Sequence, residues 1–108
     1  MKEIDQKFAA LSDHTRRAIL ARLTAGEANA GELAAPLPIS QPAVSQHLKV
    51  LIEAGMVERE ARGQQRIYRL APGALDGIDG YLGGLRQALE ANYARLDALL
   101  DDMQNKQN

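Results

Sequence analysis

The stretch Ile39-Ser40-Gln41-Pro42-Ala43-Val44-Ser45-Gln46-His47-Leu48-Lys49-Val50-Leu51 decides the fold. Ser40 has a short side-chain oxygen suited to capping a helix, and Pro42 falls in the first turn, where a missing N–H costs nothing. Val44, Leu48 and Leu51 recur at helical spacing and predict a buried stripe. Gln41, Pro42, Ser45, Gln46 and Lys49 fall on the opposite face. The helix is expected to run to about Ala54, with Gly55 closing it.

Upstream of this helix, Asn29 is placed to cap a short helix around residues 31–35, which Pro36 and Pro38 end. Before that, Ser12 or Asp13 caps a helix through Thr15–Leu23, and Ile4, Phe8 and Leu11 mark another. Downstream the period changes. Residues 56–61 and 65–70 read as two extended runs around an Arg62-Gly63-Gln64 turn, a β-hairpin. Pro72 and Gly73 mark its exit. A short helix, a proline-bounded turn, a capped helix with a polar outer face and then a hairpin make a winged helix-turn-helix. The expected class is therefore mainly α with a small β-hairpin. We read residues 1–108 as one domain, with a DNA-binding core at 5–72, a wing at 56–71 and a long C-terminal dimerisation helix at 73–104.

The outer face of the 40–54 helix suits the major groove. A Gln amide can bond an adenine edge in two places, Ser can donate or accept, and Pro can touch a thymine methyl. Lys49 suits a phosphate better than a base. A merely solvated face also carries Gln, Ser and Lys, so this face alone does not decide. The hairpin does, because Arg59, Arg62, Arg66 and Arg69 all fall within residues 56–70. Glu58 and Glu60 offset part of that charge, which leaves Arg62, beside the turn, and Arg66 as the expected backbone contacts. The DNA-contacting set is thus Ser40, Gln41, Pro42, Ser45, Gln46, Lys49, Arg62 and Arg66. His47 lies toward the inner side of its helix and reads as a partly buried, hydrogen-bonded histidine. Arg16 and Arg17 are open to two readings, phosphate contact or internal ion pair.

Composition narrows the function classes. The net charge of −1 hides an asymmetry: residues 1–72 carry +2 and residues 73–108 carry −3. With no Cys, disulfides, thiolate nucleophiles and sulfur-ligated metals are excluded. No cofactor and no metal site is expected. Two poorly placed histidines and no phosphate-binding Gly loop offer no basis for an enzyme mechanism. The N-terminal residues have no apolar run of signal-peptide length, and no segment is apolar enough to span a bilayer. The expected location is the cytoplasm, with no membrane partner.

The C-terminal segment carries an apolar seam through Leu75, Ile78, Leu82, Leu85, Leu89, Asn92, Leu96, Leu99 and Met103, at alternating steps of three and four. A helix this long outruns one small core, so a partner helix from a second copy is expected. The predicted dimer interface comprises Phe8, Leu82, Leu85, Leu89, Asn92, Tyr93 and Leu96, with Asn92 and Tyr93 fixing register.

Five blocks together resemble a known family: Ser-Asp-His-Thr-Arg-Arg-Ala-Ile-Leu (12–20), Gly-Glu-Leu-Ala (31–34), the 39–51 run, Glu-Ala-Gly-Met-Val (53–57) and Ile-Tyr-Arg-Leu (67–70). They are similar to the ArsR family of bacterial transcription regulators, over roughly residues 5–72. The resemblance implies a homodimeric repressor on double-stranded operator DNA, with first and last helices at the interface and the hairpin as wing. It also implies release when an inducer binds. Many relatives sense metals through a Cys-containing motif in the helix that here reads Gly-Glu-Leu-Ala, or through Asp and His on the last helix. This chain departs from both patterns and resembles a non-metal-sensing branch: a constitutive autorepressor, or a regulator that answers to an unknown small molecule or protein. The competing reading is a winged-helix interaction module that docks a protein partner through its long C-terminal helix.

Overall fold

Residues 2–106 are described by a computed structural model. The helices are α1 (Lys2–Leu11), α2 (His14–Leu23), α3 (Ala30–Ala34), α4 (Gln41–Glu53) and α5 (Ile78–Lys106); the strands are β1 (Ala28–Asn29), β2 (Val57–Arg62) and β3 (Gln65–Leu70). The chain divides into two compact units at the Asp76–Gly77 boundary.

Local chemistry accounts for the element ends in the first unit. Asp13 caps α2 by accepting from the Arg16 N–H at 3.0 Å. That bond, together with the nearby His47 and Arg16, holds the Asp13 carboxyl below its ordinary value of 3.8. A carboxyl lowered by folding stabilises the fold above its unfolded value and ceases to do so as pH falls through the folded one. Asp13→Asn should therefore flatten the acid limb of thermal stability between about pH 5 and pH 2. An unchanged limb would assign the acid sensitivity elsewhere.

Asn29 and Glu32 form a reciprocal capping box at α3: Asn29 Oδ1 accepts from the Glu32 N–H at 2.8 Å, and Glu32 Oε1 from the Asn29 N–H at 3.0 Å. Ser40 caps α4 at 3.3 Å, with Pro42 in its first turn. Gly55 follows with φ +76°, the left-handed conformation that ends a helix cheaply only at glycine. Gly63 at φ +59° makes the two-residue turn between β2 and β3.

The sheet has three strands rather than a hairpin alone. β1 pairs antiparallel with β3 through Ala28↔Tyr68 and Asn29↔Ile67, giving the order β1-β3-β2. Two residues are too few to show a period-2 pattern, so β1 was invisible to periodicity. The core of this unit gathers Ile19, Leu23, Leu33, Val44, Leu48, Leu51, Met56 and Val57, all nearly inaccessible. The predicted stripe of α4 is thus its buried face.

Ile4, Phe8 and Leu11 fall on one helix, α1, as their spacing predicts, but its buried residues are others. Lys7 and Ala10 are buried, while Phe8 retains 37% of its exposure. The Lys7 ammonium donates to Gly73 O at 2.7 Å and Asp76 O at 3.1 Å. The lysine thereby ties α1 to the turn that closes the unit, its stem lying in apolar surroundings and its charge on two carbonyls.

α5, taken by itself, begins at Ile78, later than the expected 73. Residues 72–77 are turn, so Leu75 lies outside the helix, and Gly77 takes φ +82°. From Leu82 onward one face of α5 is a stripe of large apolar side chains, each roughly half exposed.

Candidate nucleic-acid interface

α4 is held from below and presented from above. Its inner residues Val44, Leu48 and Leu51 are at most 1% exposed, while Ser40, Gln41, Pro42, Ser45, Gln46 and Lys49 are all exposed. A rigid helix with a free polar face is the arrangement groove reading demands, because base-edge hydrogen bonds require positioned donors and acceptors. His47 is the exception on this helix. It is half-buried, with Nδ1 3.3 Å from Arg16 Nη1 and 3.9 Å from the Asp13 carboxylate.

Arg16 is committed to the fold. Its Nε donates to Ala10 O at 2.8 Å and its Nη2 to Ala9 O at 3.1 Å. Arg17 Nη1 donates to Leu11 O at 2.6 Å. Both arginines satisfy carbonyls that the end of α1 leaves without intrahelical partners. Among the described residues neither arginine forms the ion pair that one sequence reading allowed; both clamp a helix end.

The hairpin sorts its charge by face. Directly opposed residues share a face, and the register pairs Arg59 with Tyr68 and Ala61 with Arg66. The alternate residues Glu58, Glu60, Arg62 and Arg69 lie on the other face and neutralise one another. Arg69 bonds Glu58 at 3.2 Å and Glu60 at 3.3 Å. Arg62 pairs with Glu60 and reaches across to Glu27, with Nη2 3.1 Å from its second oxygen. Hydrogen bonds from Arg62 hold the Glu60 carboxyl below the ordinary carboxylate range, and the two carboxylates push Arg62 further up. The arginine expected to project from the wing tip is thus engaged by two carboxylates. Glu27, 35 positions away in sequence, gives no local signal of this role.

Arg66, by contrast, makes no ion pair among the described residues, and neither does Arg59, which the sequence reading passed over. Between α4 and the sheet lies a trough of about 440 Å³ lined by Asn29, Gly31, Gln41, Ser45, Gln65, Arg66 and Tyr68. A second recess of about 330 Å³ adjoins it, lined by Ser45, Leu48, Lys49, Ile52, Glu53, Arg59, Arg66 and Tyr68. Ser45, Arg66 and Tyr68 line both, so the two are continuous along the Gln41–Ser45–Lys49 edge of α4. Pro42 and Gln46 stand outside the trough, on the solvent side of the helix.

The residues expected at a dimer interface are found on two elements. On α5, Leu82, Leu85, Leu89 and Leu96 are 45–47% exposed and Tyr93 is 60% exposed. Asn92 Oδ1 accepts from Arg95 at 3.4 Å. Phe8 lies on α1. Among the described residues no three His, Asp or Glu side chains converge as a metal site would require. No helix among them is long and apolar enough to cross a membrane.

A capped helix with a free polar face beside a basic hairpin defines a winged helix-turn-helix DNA-binding protein. Residues 11–60 match the model of a helix-turn-helix domain family. The chain is 45% identical over 92 residues to the HTH-type transcriptional regulator Rv2034 of Mycobacterium tuberculosis, covering 85% of this chain and 86% of that one. It is 35% identical over 78 residues to the arsenical resistance operon repressor of Staphylococcus xylosus, covering 72% and 75%. Among solved structures, an ArsR-like transcriptional regulator from Rhodococcus sp. RHA1 superposes with a TM-score of 0.79 at 31% identity, over 94% of this chain and 93% of that one. The homodimeric winged helix-turn-helix DNA-binding domain Mb0332 of Mycobacterium bovis superposes with a TM-score of 0.63 at 26% identity, over 86% and 82%. The chain belongs to the ArsR family of winged helix-turn-helix transcriptional regulators, and its function is that of a DNA-binding regulator of transcription.

Proposed function

We propose that this protein is a cytoplasmic homodimeric repressor that binds an inverted-repeat operator and catalyses no reaction. The observation that carries the reading is α4: three core residues fix it, and its whole contact face, Gln41, Pro42, Ser45, Gln46 and Lys49, stands free. In this reading the helix of each copy enters a major groove. Ser45 and Gln46 face base edges, and Ser40 and Lys49 face the backbone. Arg66 meets the strand from the wing, and Arg62 reaches it by exchanging Glu27 for a phosphate.

The dimer is supported by the leucine stripe of α5, which a lone chain leaves half exposed over several turns. A second copy of the same helix is a self-complementary cover for it. Two copies place two α4 helices on two half-sites about one helical turn apart, or a multiple of it. The chain has no Cys to serve as a soft-metal ligand or redox sensor. In this reading it is therefore a constitutive autorepressor or is released from DNA by a small molecule or a protein partner.

Gln46→Ala tests the reading of bases. It should relax preference at one base pair of each half-site by ~1–3 kcal/mol while leaving binding to random sequence unchanged. Binding constants for operators substituted singly at each position give the answer. Equal losses at every position, or none, would remove Gln46 from the base-reading set.

A further inference from the structure

Tyr68 has an unusual combination of burial and freedom. Only 5% of the residue is exposed, yet its hydroxyl has no hydrogen-bond partner among the described residues. No described side-chain polar atom is both sealed from solvent and unpartnered, so this hydroxyl must open outward. The openings it borders are the trough and the recess between α4 and the sheet. A tyrosine whose ring is packed and whose hydroxyl is unused is a positioned donor, held without further ordering cost.

Its surroundings are cationic. Arg66 lines both openings, Arg59 and Lys49 line the recess, and Glu53 is the single carboxylate there. Neither arginine is paired, whereas both arginines of the opposite hairpin face are neutralised. Ser45 adds a second hydroxyl from α4. Two hydroxyl donors beside two unpaired guanidinium groups match the oxygens and charge of a phosphate.

We propose that this cleft seats one phosphodiester of the DNA backbone, with Tyr68 and Ser45 donating to its oxygens and Arg59 and Arg66 supplying the charge. The inference rests on the DNA-binding reading above and deepens it. It makes the inner face of the hairpin, rather than its tip, the part of the wing that grips the strand. Tyr68 and Arg59 join the contact residues, and neither was singled out from sequence. A phosphate seated here sets how deeply α4 enters the groove, because Ser45 belongs to both the seat and the reading face.

The test is fluorescence anisotropy with a random-sequence duplex across a salt series, since a backbone seat acts on any sequence. Arg59→Gln and Arg66→Gln should each lower the salt slope by about one. Arg66→Lys should restore the slope. Tyr68→Phe should weaken binding roughly tenfold with slope and melting temperature unchanged, because the lost group carries no charge and holds no internal bond. Arg86→Gln, one charge removed from α5, should leave the slope as it is. If the wild type binds with a steep slope and the Tyr68, Arg59 and Arg66 variants behave identically to it, the seat is refuted and the DNA-binding reading stands. If the wild type binds no duplex even at low salt, both fall. Inorganic phosphate, titrated without DNA while Tyr68 and the arginine Nε resonances are followed, separates the second source of the same chemistry. Shifts abolished by Tyr68→Phe, in a protein whose DNA binding ignores that substitution, would reassign the cleft to a free phosphate ester.

Discussion

Leu89→Asp should convert the protein from a dimer to a folded monomer, read by sedimentation equilibrium. Leu89 lies midway along the apolar stripe of α5 and is 46% exposed in the single chain, so the substitution leaves the fold of the first unit untouched. In a twofold dimer the change enters twice. Each copy loses the burial of a leucine, about 1.5–3 kcal/mol, and gains a carboxylate in an apolar seam with no cation supplied for it. The dissociation constant should rise by on the order of a thousandfold or more. Operator affinity should fall with it, because one half-site no longer anchors the other. A dimer of undiminished stability would place the interface elsewhere and leave the α5 stripe for another partner.

Arg16→Ala should cost about 2–4 kcal/mol of folding stability. The guanidinium satisfies two carbonyls at the end of α1 and touches the imidazole of His47 on α4. Ala10 is fully buried, so its carbonyl has no ready substitute donor, and an unmet buried acceptor adds its own desolvation cost. Denaturant unfolding should show a lower midpoint with unchanged slope. The salt dependence of DNA binding supplies the second readout: a clamp leaves it unaltered, whereas a phosphate contact would lower it by about one. A stable variant with a reduced salt slope would return Arg16 to the DNA.

What was legible beforehand follows from the range of each interaction. Asp13, Asn29 and Ser40 act on backbone N–H groups three residues away. Their roles are therefore written in adjacent sequence, as are Gly55 at the end of α4 and the apolar stripe Val44–Leu48–Leu51. Interactions that close across the fold carry no such mark. Nothing adjacent in sequence marks Lys7 as a buried tie, because its partners, the carbonyls of Gly73 and Asp76, lie 66 and 69 positions on. β1 exists because β3 offers it an edge, not because Ala28 and Asn29 prefer a strand.

The candidate site divides the same way. Periodicity placed Gln41, Pro42, Ser45, Gln46 and Lys49 on the exposed face of α4 correctly. It could not tell which hairpin arginines are free. Proximity to the turn favours Arg62, yet the alternation of β2 puts Glu60 beside it on the same face and folding brings up Glu27, while Arg59 and Arg66 remain unpaired among the described residues. The signal available was parity: residues 59, 61, 66 and 68 share a face once the two-residue turn is fixed at Gly63-Gln64. The heptad spacing places Leu82 through Met103 on one helix, but it starts that helix too early, since Gly77 at φ +82° precedes its first residue, Ile78.

The most direct test of the central claim is fluorescence anisotropy of the purified protein on the DNA upstream of its own gene, with an unrelated duplex as competitor. A sequence-reading dimer should bind one fragment tightly, resist the competitor by a factor of at least ~10³, and lose affinity steeply as salt rises. Binding no stronger than to the unrelated duplex, in every fragment and in a selection from the whole genome, would contradict it.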